Sequence, residues 1–202
     1  MSDSADGMRS SDASPSLYTQ RLELRPGSAR ALRAALESNA ALASVLDVDI
    51  SDAWPPELYD ADAVRWTLDQ LGDGSDGGPY GFYYLIRHRP GARGMLIGVG
   101  GFKGPPNANG EVELGYGVLS DFQRQGYATE AVQGWLALAF ADPAIEIVVG
   151  QTLASLTASI GVLEKAGFRL AGAGADDGAP EGEQVIRYEL DREAYVRRNG
   201  IG

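Results

Sequence analysis

The chain has 202 residues, with 17 Lys and Arg against 28 Asp and Glu, a formal net charge of −11, no Cys and one His. A chain of this length is expected to form one domain with its own hydrophobic core. The absence of Cys excludes disulfides, thiolate metal sites and a cysteine nucleophile, and a single His excludes a histidine-rich metal site.

The acidic balance of the chain restricts its partners. Nucleic acid and anionic membranes are disfavoured, because their phosphates would be repelled overall, whereas a cationic amine or basic peptide would be attracted. The alternative is that the acidic surface only maintains solubility. No apolar run reaches membrane-spanning length, and the first residues lack the apolar core of a signal peptide, so a cytoplasmic location is expected.

The N-terminal part of the chain predicts a tail, a strand and a helix. Residues 1–16 are rich in Ser, Asp and Gly without periodicity, which is typical of a disordered tail preceding a single domain over 17–198. Residues 17–25 alternate as a strand would. Ser28 is then a good N-cap for a helix that continues to Glu37.

A second helical segment and a hairpin come next. After residues 42–50 and a Trp-Pro-Pro sequence at 54–56, the pattern predicts a helix over 60–71, in which Trp66 is expected to pack in the core. Residues 80–89 and 95–103 are predicted to form a hairpin around a glycine-rich turn.

The segment 111–118 predicts a strand with two different faces. Val112, Leu114, Tyr116 and Val118 alternate with Glu111, Glu113, Gly115 and Gly117, so that the two carboxylates share one face. The strand leads through a glycine-containing turn, Gln123-Arg-Gln-Gly-Tyr-Ala128, into a helix that ends at Asp142-Pro143.

The turn before this helix has the properties of an anion site. The first N–H groups of a helix have no partner within the helix, and the helix dipole adds partial positive charge there. Gly126 allows close approach because it has no side chain. Taken alone, a strand, a turn with one glycine and a helix fit a structural loop equally well.

The C-terminal part of the chain predicts another strand and helix pair. Residues 145–152 are rich in β-branched side chains and predict a strand, and residues 155–166 predict a helix that ends before Gly167. A short extended piece at 168–171, a mobile loop at 172–182 and a final strand at 184–190 complete the chain.

Several of these segments together resemble a known family. Gln123-x-x-Gly126-x-Ala128 looks like the coenzyme A pyrophosphate loop of the GNAT acyltransferases, and Glu113-Leu-Gly-Tyr with Gly-Tyr-Ala-Thr-Glu-Ala resembles the branch containing ribosomal-protein-alanine N-acetyltransferases. The segment from Ala158 to Phe168 is similar to that branch's A-S-x-x-V-L-E-K-x-G-F signature, and the segment from Thr19 to Pro26 is similar to its T-x-R-L-x-L-R-P start.

The resemblance implies a fold and a cosubstrate. The fold would be α/β (α+β), with a twisted, mixed, mostly antiparallel sheet of about six or seven strands flanked by about four helices. The strands at 111–118 and 145–152, the fourth and fifth predicted, would splay apart to admit the pantetheine of acetyl-CoA. The implied coenzyme-binding residues are those at the end of the first of these strands and in the loop: Val118, Leu119, Gln123, Arg124, Gln125, Gly126, Tyr127, Ala128 and Thr129.

Acetyl transfer to an amine needs a group that removes a proton from the acceptor. Glu113 is the first candidate, because the resembling enzymes often carry an acidic residue on the central strand just before Gly-Tyr. Glu111, on the same face, is the reserve and a candidate for contact with the acceptor. The alternative is that both carboxylates face solvent or pair with Arg or Lys on a neighbouring strand.

The resemblance also suggests the other parts of the site. Backbone N–H groups near Val118 and Leu119 would stabilise the oxyanion. Ser159 would relay a proton to the departing thiolate, although a serine in the first turns of a helix is as often a local backbone partner. Trp54 and Tyr59 would belong to the wall of the acceptor pocket.

Two departures from the family pattern leave a second function open. Leu156 stands where the family usually has an Asn that helps to hold the pantetheine arm, and Leu163 lies in the region of the usual general-acid Tyr. The leading interpretation is an acetyl-CoA-dependent N-acetyltransferase that acts on a primary amine by direct attack, without a metal, as a homodimer. The alternative is a catalytically weak acyl-CoA-binding regulatory module.

Overall fold

Nine strands of the described residues form one sheet. The computed structural model describes residues 14–57, 59–71, 78–175 and 182–200. The strands are β1 Leu17–Tyr18, β2 Leu22–Pro26, β3 Asp49–Ile50, β4 Phe82–Arg87, β5 Met95–Phe102, β6 Glu111–Val118, β7 Ile147–Leu153, β8 Arg169–Ala173 and β9 Val185–Asp191. The helices are α1 Ala29–Glu37, α2 Asn39–Leu46, α3 Ala61–Leu71, α4 Tyr127–Ala141, α5 Thr157–Ala166 and α6 Arg192–Asn199.

The strand order confirms the predicted mixed, mostly antiparallel sheet. The order is β1-β2-β4-β5-β6-β7-β9-β8, with β3 beside β5. All neighbours are antiparallel except β6 with β7 and β3 with β5. The short strand β3 and the helices α2 and α6 are additions to the predicted set.

Each face of the sheet is covered by a different group of helices. Since successive side chains of a strand point to opposite faces, Val112 and Leu114 pack with the buried Trp135 of α4, while Glu111 and Glu113 lie on the other face. On that other face, α1 to α3 cover a second core that includes Leu32, Leu42 and Tyr84. We call the first the α4 face and the second the α1 face.

The parallel pair β6 and β7 separates part of the way along its length. The pairing runs from Glu111 opposite Ile147 to Leu114 opposite Gly150 and goes no further. Beyond it, residues 115–118 pair only with β5, and residues 151–153 pair only with β9. The predicted splay is therefore present, and we call the space between these strand ends the gap.

The predicted first strand is divided in two. Leu17 pairs back on Leu24, so the chain turns at residues 19–21 before β2 begins. The Thr19 hydroxyl caps this turn, because it accepts a hydrogen bond from the Leu22 N–H at 3.1 Å. The turn is directed towards the beginning of α4, where it contributes to the site described below.

Some predicted segments fall partly or wholly outside the described residues. Residues 1–13 of the predicted tail, 72–77 of the loop after α3 and 176–181 of the predicted mobile loop are among them. Of the remaining tail, Ser16 donates a hydrogen bond to Glu23 at 2.9 Å. Trp66 is 53% exposed on α3, so the prediction that it packs in the core was wrong.

Candidate functional site

The loop that precedes α4 presents unoccupied N–H groups. Gly126 adopts a left-handed conformation, φ 83°, at the N-cap of α4 and supplies no side-chain cap. Arg124 is also left-handed, with φ 57°. Within the described part of the chain, the backbone N–H groups of residues 124–129 donate to no backbone or side-chain acceptor. This stretch combines free donors with the positive end of a helix, so it can bind an anion.

Side chains of the loop hold it against the end of β6. The Gln123 amide donates to the Val118 carbonyl at 3.0 Å, and the Gln125 amide donates to the Asp121 carbonyl at 2.8 Å. Both side chains are therefore engaged with the protein's own backbone. The loop residues 123–126 are nevertheless exposed, while Tyr127 is buried beneath them.

Arg21, in the turn between β1 and β2, braces this loop from outside. Its guanidinium donates to the Gln125 carbonyl at 2.9 Å, lies over the Tyr127 ring at 4.4 Å and pairs with Glu130 at 2.6 Å. Glu130 lies in the first turn of α4, and its partners come from a segment more than a hundred residues earlier.

Glu130 is held as a carboxylate by this arrangement. Burial alone would raise the pKa of Glu130, but hydrogen bonds from the Thr19 hydroxyl and from the backbone and side chain of Arg21 outweigh it and lower the pKa. The contact therefore persists at neutral pH and fixes the first turn of α4 to the β1–β2 turn.

A cavity of about 590 Å³ opens beside this brace. It is lined by polar and charged groups of the β1–β2 turn, α4 and α5: Thr19, Gln20, Arg21, Gly126, Thr129, Glu130, Gln133, Gly134 and Lys165. Thr129 and Gly126 were expected at a coenzyme site, whereas Thr19, Arg21 and Lys165 were not. Thr19 and Arg21 belong to the T-x-R-L start, and Lys165 belongs to the A-S-x-x-V-L-E-K segment. The sequence alone gives these two motifs no role at the site.

Backbone groups of β6 face the gap. The N–H of Lys103 donates to the Glu113 carbonyl and the N–H of Leu119 donates to the Ile97 carbonyl, both at 2.9 Å. Because antiparallel bonding alternates along a strand, the N–H groups of Tyr116 and Val118 are directed away from β5, towards the gap. Of the two predicted oxyanion donors, Val118 is thus directed into the gap, while the N–H of Leu119 is occupied within the sheet.

Ser159 and Tyr116 meet at the gap on the α4 face. The Tyr116 hydroxyl lies 3.1 Å from the Ser159 carbonyl and 3.2 Å from Ser159 Oγ. Burial raises the pKa of Tyr116 to about 12, against the opposing effect of the Ser159 contact, so the phenol stays protonated at neutral pH. Ser159 is half-buried in the first turn of α5, whose N-cap Leu156 is exposed and makes no side-chain capping bond.

On the α1 face, the two predicted carboxylates are both paired. Glu113 forms an ion pair with Lys103 through Oε1 and accepts a hydrogen bond from Gln151 Nε2 at 3.0 Å. Glu111 receives two hydrogen bonds from Arg187, at 3.2 and 2.7 Å. Cross-strand pairing, the alternative considered from the sequence, is therefore what the structure contains, and it brings together residues of β6, β7, β9 and the end of β5.

Trp54 and Tyr59 lie beside the splayed end of β6, but both are buried. They are 7% and 8% exposed, with their rings 6.5 Å apart in an edge arrangement. Burial raises the pKa of Tyr59, and its hydroxyl has no partner among the described residues. The chain between them covers β6, since a side chain at Gly117 would meet Pro56 Cβ at 3.4 Å. This segment forms a wall on the α1 face, with Trp54 and Tyr59 packed in its core.

The described residues offer no site for a metal and no membrane-crossing helix. No group of three or more His, Cys, Asp or Glu side chains among them could hold a metal ion. No helix among them is long and apolar enough to cross a membrane.

Comparison with known proteins gives one family match along most of the chain. Residues 21–169 match the model of the acetyltransferase (GNAT) domain. No curated protein gave a significant match to the sequence.

Solved structures share the fold at low sequence identity. A GNAT-family acetyltransferase from Bacillus anthracis is 20% identical, with a TM-score of 0.59 over 89% of this chain and 99% of its own. The ribosomal L7/L12 alpha-N-protein acetyltransferase in complex with coenzyme A is 18% identical, with a TM-score of 0.60 over 89% and 99%. The microcin C7 self-immunity acetyltransferase in complex with acetyl-CoA and AMP is 15% identical, with a TM-score of 0.58 over 85% and 93%.

Proposed function

The chain belongs to the GNAT acetyltransferase family, and from that premise we propose that it transfers the acetyl group of acetyl-CoA to a primary amine by direct attack within a ternary complex. The observation that supports this most is the position of the gap. The free N–H groups of residues 124–129 lie in the connection between α4 and the strand whose N–H groups at Tyr116 and Val118 face the gap.

The coenzyme would lie along these backbone donors. Its pyrophosphate would accept hydrogen bonds from the N–H groups of residues 124–129, and its pantetheine would enter the gap beside Tyr116 and Val118. The cavity lined by Arg21, Thr129 and Lys165 would take the phosphorylated nucleoside end. This region is locally cationic in a chain of net charge −11, which suits a polyanionic ligand.

Glu113 would act as the general base on the opposite face. An ammonium group must lose a proton before its nitrogen can attack, and a carboxylate on the α1 face at the start of the gap can accept it. The pairing of Glu113 with Lys103 shows that this carboxylate attracts an ammonium group, which is how an acceptor would first bind. Glu111 is less suited, because the planar Arg187 engages it with two hydrogen bonds.

Ser159 would protonate the departing thiolate from the α4 face. Tyr116 would hold the Ser159 hydroxyl in position from inside the gap, where the family's usual Tyr is replaced by Leu163. The developing oxyanion would be stabilised by the Val118 N–H.

The acceptor is proposed as a class, a protein N-terminus or a small-molecule amine. Acidic groups surround the entry on the α1 face, namely Glu111, Glu113 and Glu189, with Arg187 among them. We further propose that the protein is cytoplasmic. We also propose that it forms a homodimer, and sedimentation of the purified chain would test this oligomeric state.

The experiment that tests the proposal is release of free coenzyme A from acetyl-CoA over a panel of amines and basic peptides. Amine-dependent release would support it, with product mass confirming an acetylated amine. A chain that binds acetyl-CoA but releases no coenzyme A with any acceptor would favour the second candidate, an acyl-CoA-binding module. The uncapped, exposed Leu156 in place of Asn is the observation that favours that second candidate.

A further inference from the structure

Lys103 places an amine of the chain on its own candidate base. Lys103 follows β5 and lies opposite Glu113 on β6, where its N–H donates to the Glu113 carbonyl at 2.9 Å. Its ammonium group forms the ion pair with Glu113 Oε1, and Gln151 Nε2 holds Oε2 at 3.0 Å. The ammonium group therefore occupies the position in which an external acceptor would give up its proton.

The route from this pair to the gap is open. Gly115 is the next residue of β6 on the same face, about 7 Å further along the strand. A side chain built there would meet no atom within 4 Å, so no side chain separates Glu113 from the splayed end of the strand. The Lys103 side chain is 56% exposed, and its unbranched stem can therefore swing along this open surface.

We propose that the enzyme acetylates its own Lys103, an inference that rests on the proposed function and extends it to an acceptor within the chain. Glu113 takes a proton from the Lys103 ammonium group, and the nitrogen lone pair attacks the thioester carbonyl. The N–C bond forms, the C–S bond breaks, and coenzyme A leaves as a thiolate, which gains the second proton that the nitrogen gives up as it becomes an amide. The products are an acetyl-lysine at residue 103 and free coenzyme A.

This modification changes the charge at the site. Acetylation removes the positive charge and the ion pair of the lysine. Among the described residues, Gln151 is then the remaining polar partner of the Glu113 side chain. Self-acetylation thus leaves Glu113 free of its internal cation and open to an external ammonium group.

The chain offers a clean test, because Lys103 and Lys165 are its lysines. The purified full chain is incubated with isotopically labelled acetyl-CoA, and labelled acetyl groups are located by peptide mass mapping over time. Lys165 lines the cavity proposed for the coenzyme, so the control for uncatalysed acetylation is a synthetic peptide of residues 99–107, which carries the same lysine, incubated without the protein. Labelling of the chain's N-terminal amine is distinguished by the same mapping.

We expect Lys103 to be labelled at least about tenfold faster in the chain than in the peptide, at a rate per chain that does not change with protein concentration. Glu113→Gln is expected to slow Lys103 labelling by about tenfold or more, because the base is lost. Lys103→Arg keeps a cation beside Glu113 but removes the nucleophile, and is expected to abolish the fast labelling.

The outcomes separate this inference from the function on which it rests. Amine-dependent release of coenzyme A with Lys103 left unlabelled overturns the self-acetylation alone. Absence of both overturns the self-acetylation and the proposed function together. Equal labelling rates for Lys103 in the parent chain and in the peptide, which need no variant to fold, or an unchanged rate in a folded Glu113→Gln chain, overturn the inference in favour of uncatalysed acetylation.

Discussion

The two faces of the gap differ in the chemical groups that they present, which are backbone N–H groups on one face and charged side chains on the other. On the α4 face, the groups that can meet the coenzyme are mostly backbone N–H groups of residues 124–129, together with Tyr116 and Val118. On the α1 face, the corresponding groups are side-chain charges that already pair with one another, as Glu113 does with Lys103. The first face is therefore ready for an anion, while the second must exchange an internal cation for an external one.

This difference explains what each face can recognise. Backbone donors at a helix N-terminus bind a pyrophosphate through N–H groups that almost every residue type carries, so they depend mainly on the shape of the loop. Paired charges are selective, because an incoming ammonium group must displace Lys103 without leaving a carboxylate unpaired. Coenzyme binding should therefore depend on loop geometry, and turnover on individual side chains of the α1 face.

Glu113→Gln tests the role of the α1 face and has the largest expected effect. We expect kcat to fall by about 10²- to 10⁴-fold, the usual contribution of a general base, with the affinity for acetyl-CoA unchanged. Steady-state kinetics with a primary amine would measure it. Glu111→Gln is the matched control on the same face, for which a much smaller loss is expected because Arg187 engages that carboxylate. Equal losses in the two variants would assign the base role to the pair rather than to Glu113.

The brace at Arg21 tests whether loop geometry controls coenzyme binding. Arg21→Met keeps the apolar stem but removes the hydrogen bonds to the Gln125 carbonyl and Glu130. We expect the KM for acetyl-CoA to rise about tenfold, corresponding to about 1.4 kcal/mol, while kcat is little changed. Initial rates over a range of acetyl-CoA concentrations would show the split.

The matched control for the brace is Arg25→Met in the neighbouring strand. Arg25 pairs with Glu23 and lies away from the loop, so its removal should leave the KM for acetyl-CoA unchanged. A rise in KM for both variants would mean that the loop responds to general loss of stability and not to its brace.

Tyr116→Phe tests whether Tyr116 positions the Ser159 hydroxyl that would protonate the departing thiolate. The variant keeps the ring and removes the hydroxyl that contacts Ser159 at 3.2 Å. We expect kcat to fall about threefold to tenfold with no change in the KM for acetyl-CoA, since a single neutral hydrogen bond of about 1 kcal/mol is lost. If the double variant Tyr116→Phe/Ser159→Ala loses no more kcat than Ser159→Ala alone, the two hydroxyls act together. Additive losses would contradict the positioning role of Tyr116.

The smallest expected effect is on stability against pH. Because the pKa of Glu130 is lowered in the folded protein, its stabilising contribution is present above the ordinary value of 4.5 and is lost as the pH falls through the lowered folded value. Glu130→Gln should reduce the free energy of unfolding at pH 7 by about 1 kcal/mol, a modest figure because solvent screens the half-exposed Arg21. Urea unfolding at pH 7 and below pH 4 would measure it, and the difference between parent and variant should shrink at the lower pH.

Much of the fold followed from the sequence, because its local patterns agree with the final structure. The alternation at 111–118, the glycine before α4 and the Gly167 that ends α5 each specify their element by local geometry. The helix α2 was missed because Ser38 both ends α1 and caps α2, so the pattern shows no linker between them. The turn at 19–21 was missed because residues 17–25 were assigned to one strand, although the polar residues Thr19, Gln20 and Arg21 interrupt the alternation.

The candidate site was predictable only where it is built from consecutive residues. The loop at 123–129 could be located from its own motif and from the helix that it begins. Pairs such as Glu113 with Lys103, Glu111 with Arg187 and Arg21 with Glu130 depend on strand register and on a turn that no local pattern encodes. The sequence could name the carboxylates, but it could not show that each already has a cationic partner.

Calorimetric titration of acetyl-CoA into the parent, Gly126→Glu and Glu113→Gln tests most directly whether the coenzyme binds to the backbone donors of the α4 face. Gly126→Glu places a carboxylate at a left-handed position of the loop, where a side chain is strained and the pyrophosphate would be repelled. We expect Gly126→Glu to weaken the binding of acetyl-CoA by at least about a hundredfold, and we expect Glu113→Gln to bind acetyl-CoA as tightly as the parent does. Undiminished binding in a folded Gly126→Glu chain, or equal weakening in Glu113→Gln, would contradict the assignment of the coenzyme to the backbone donors of the α4 face.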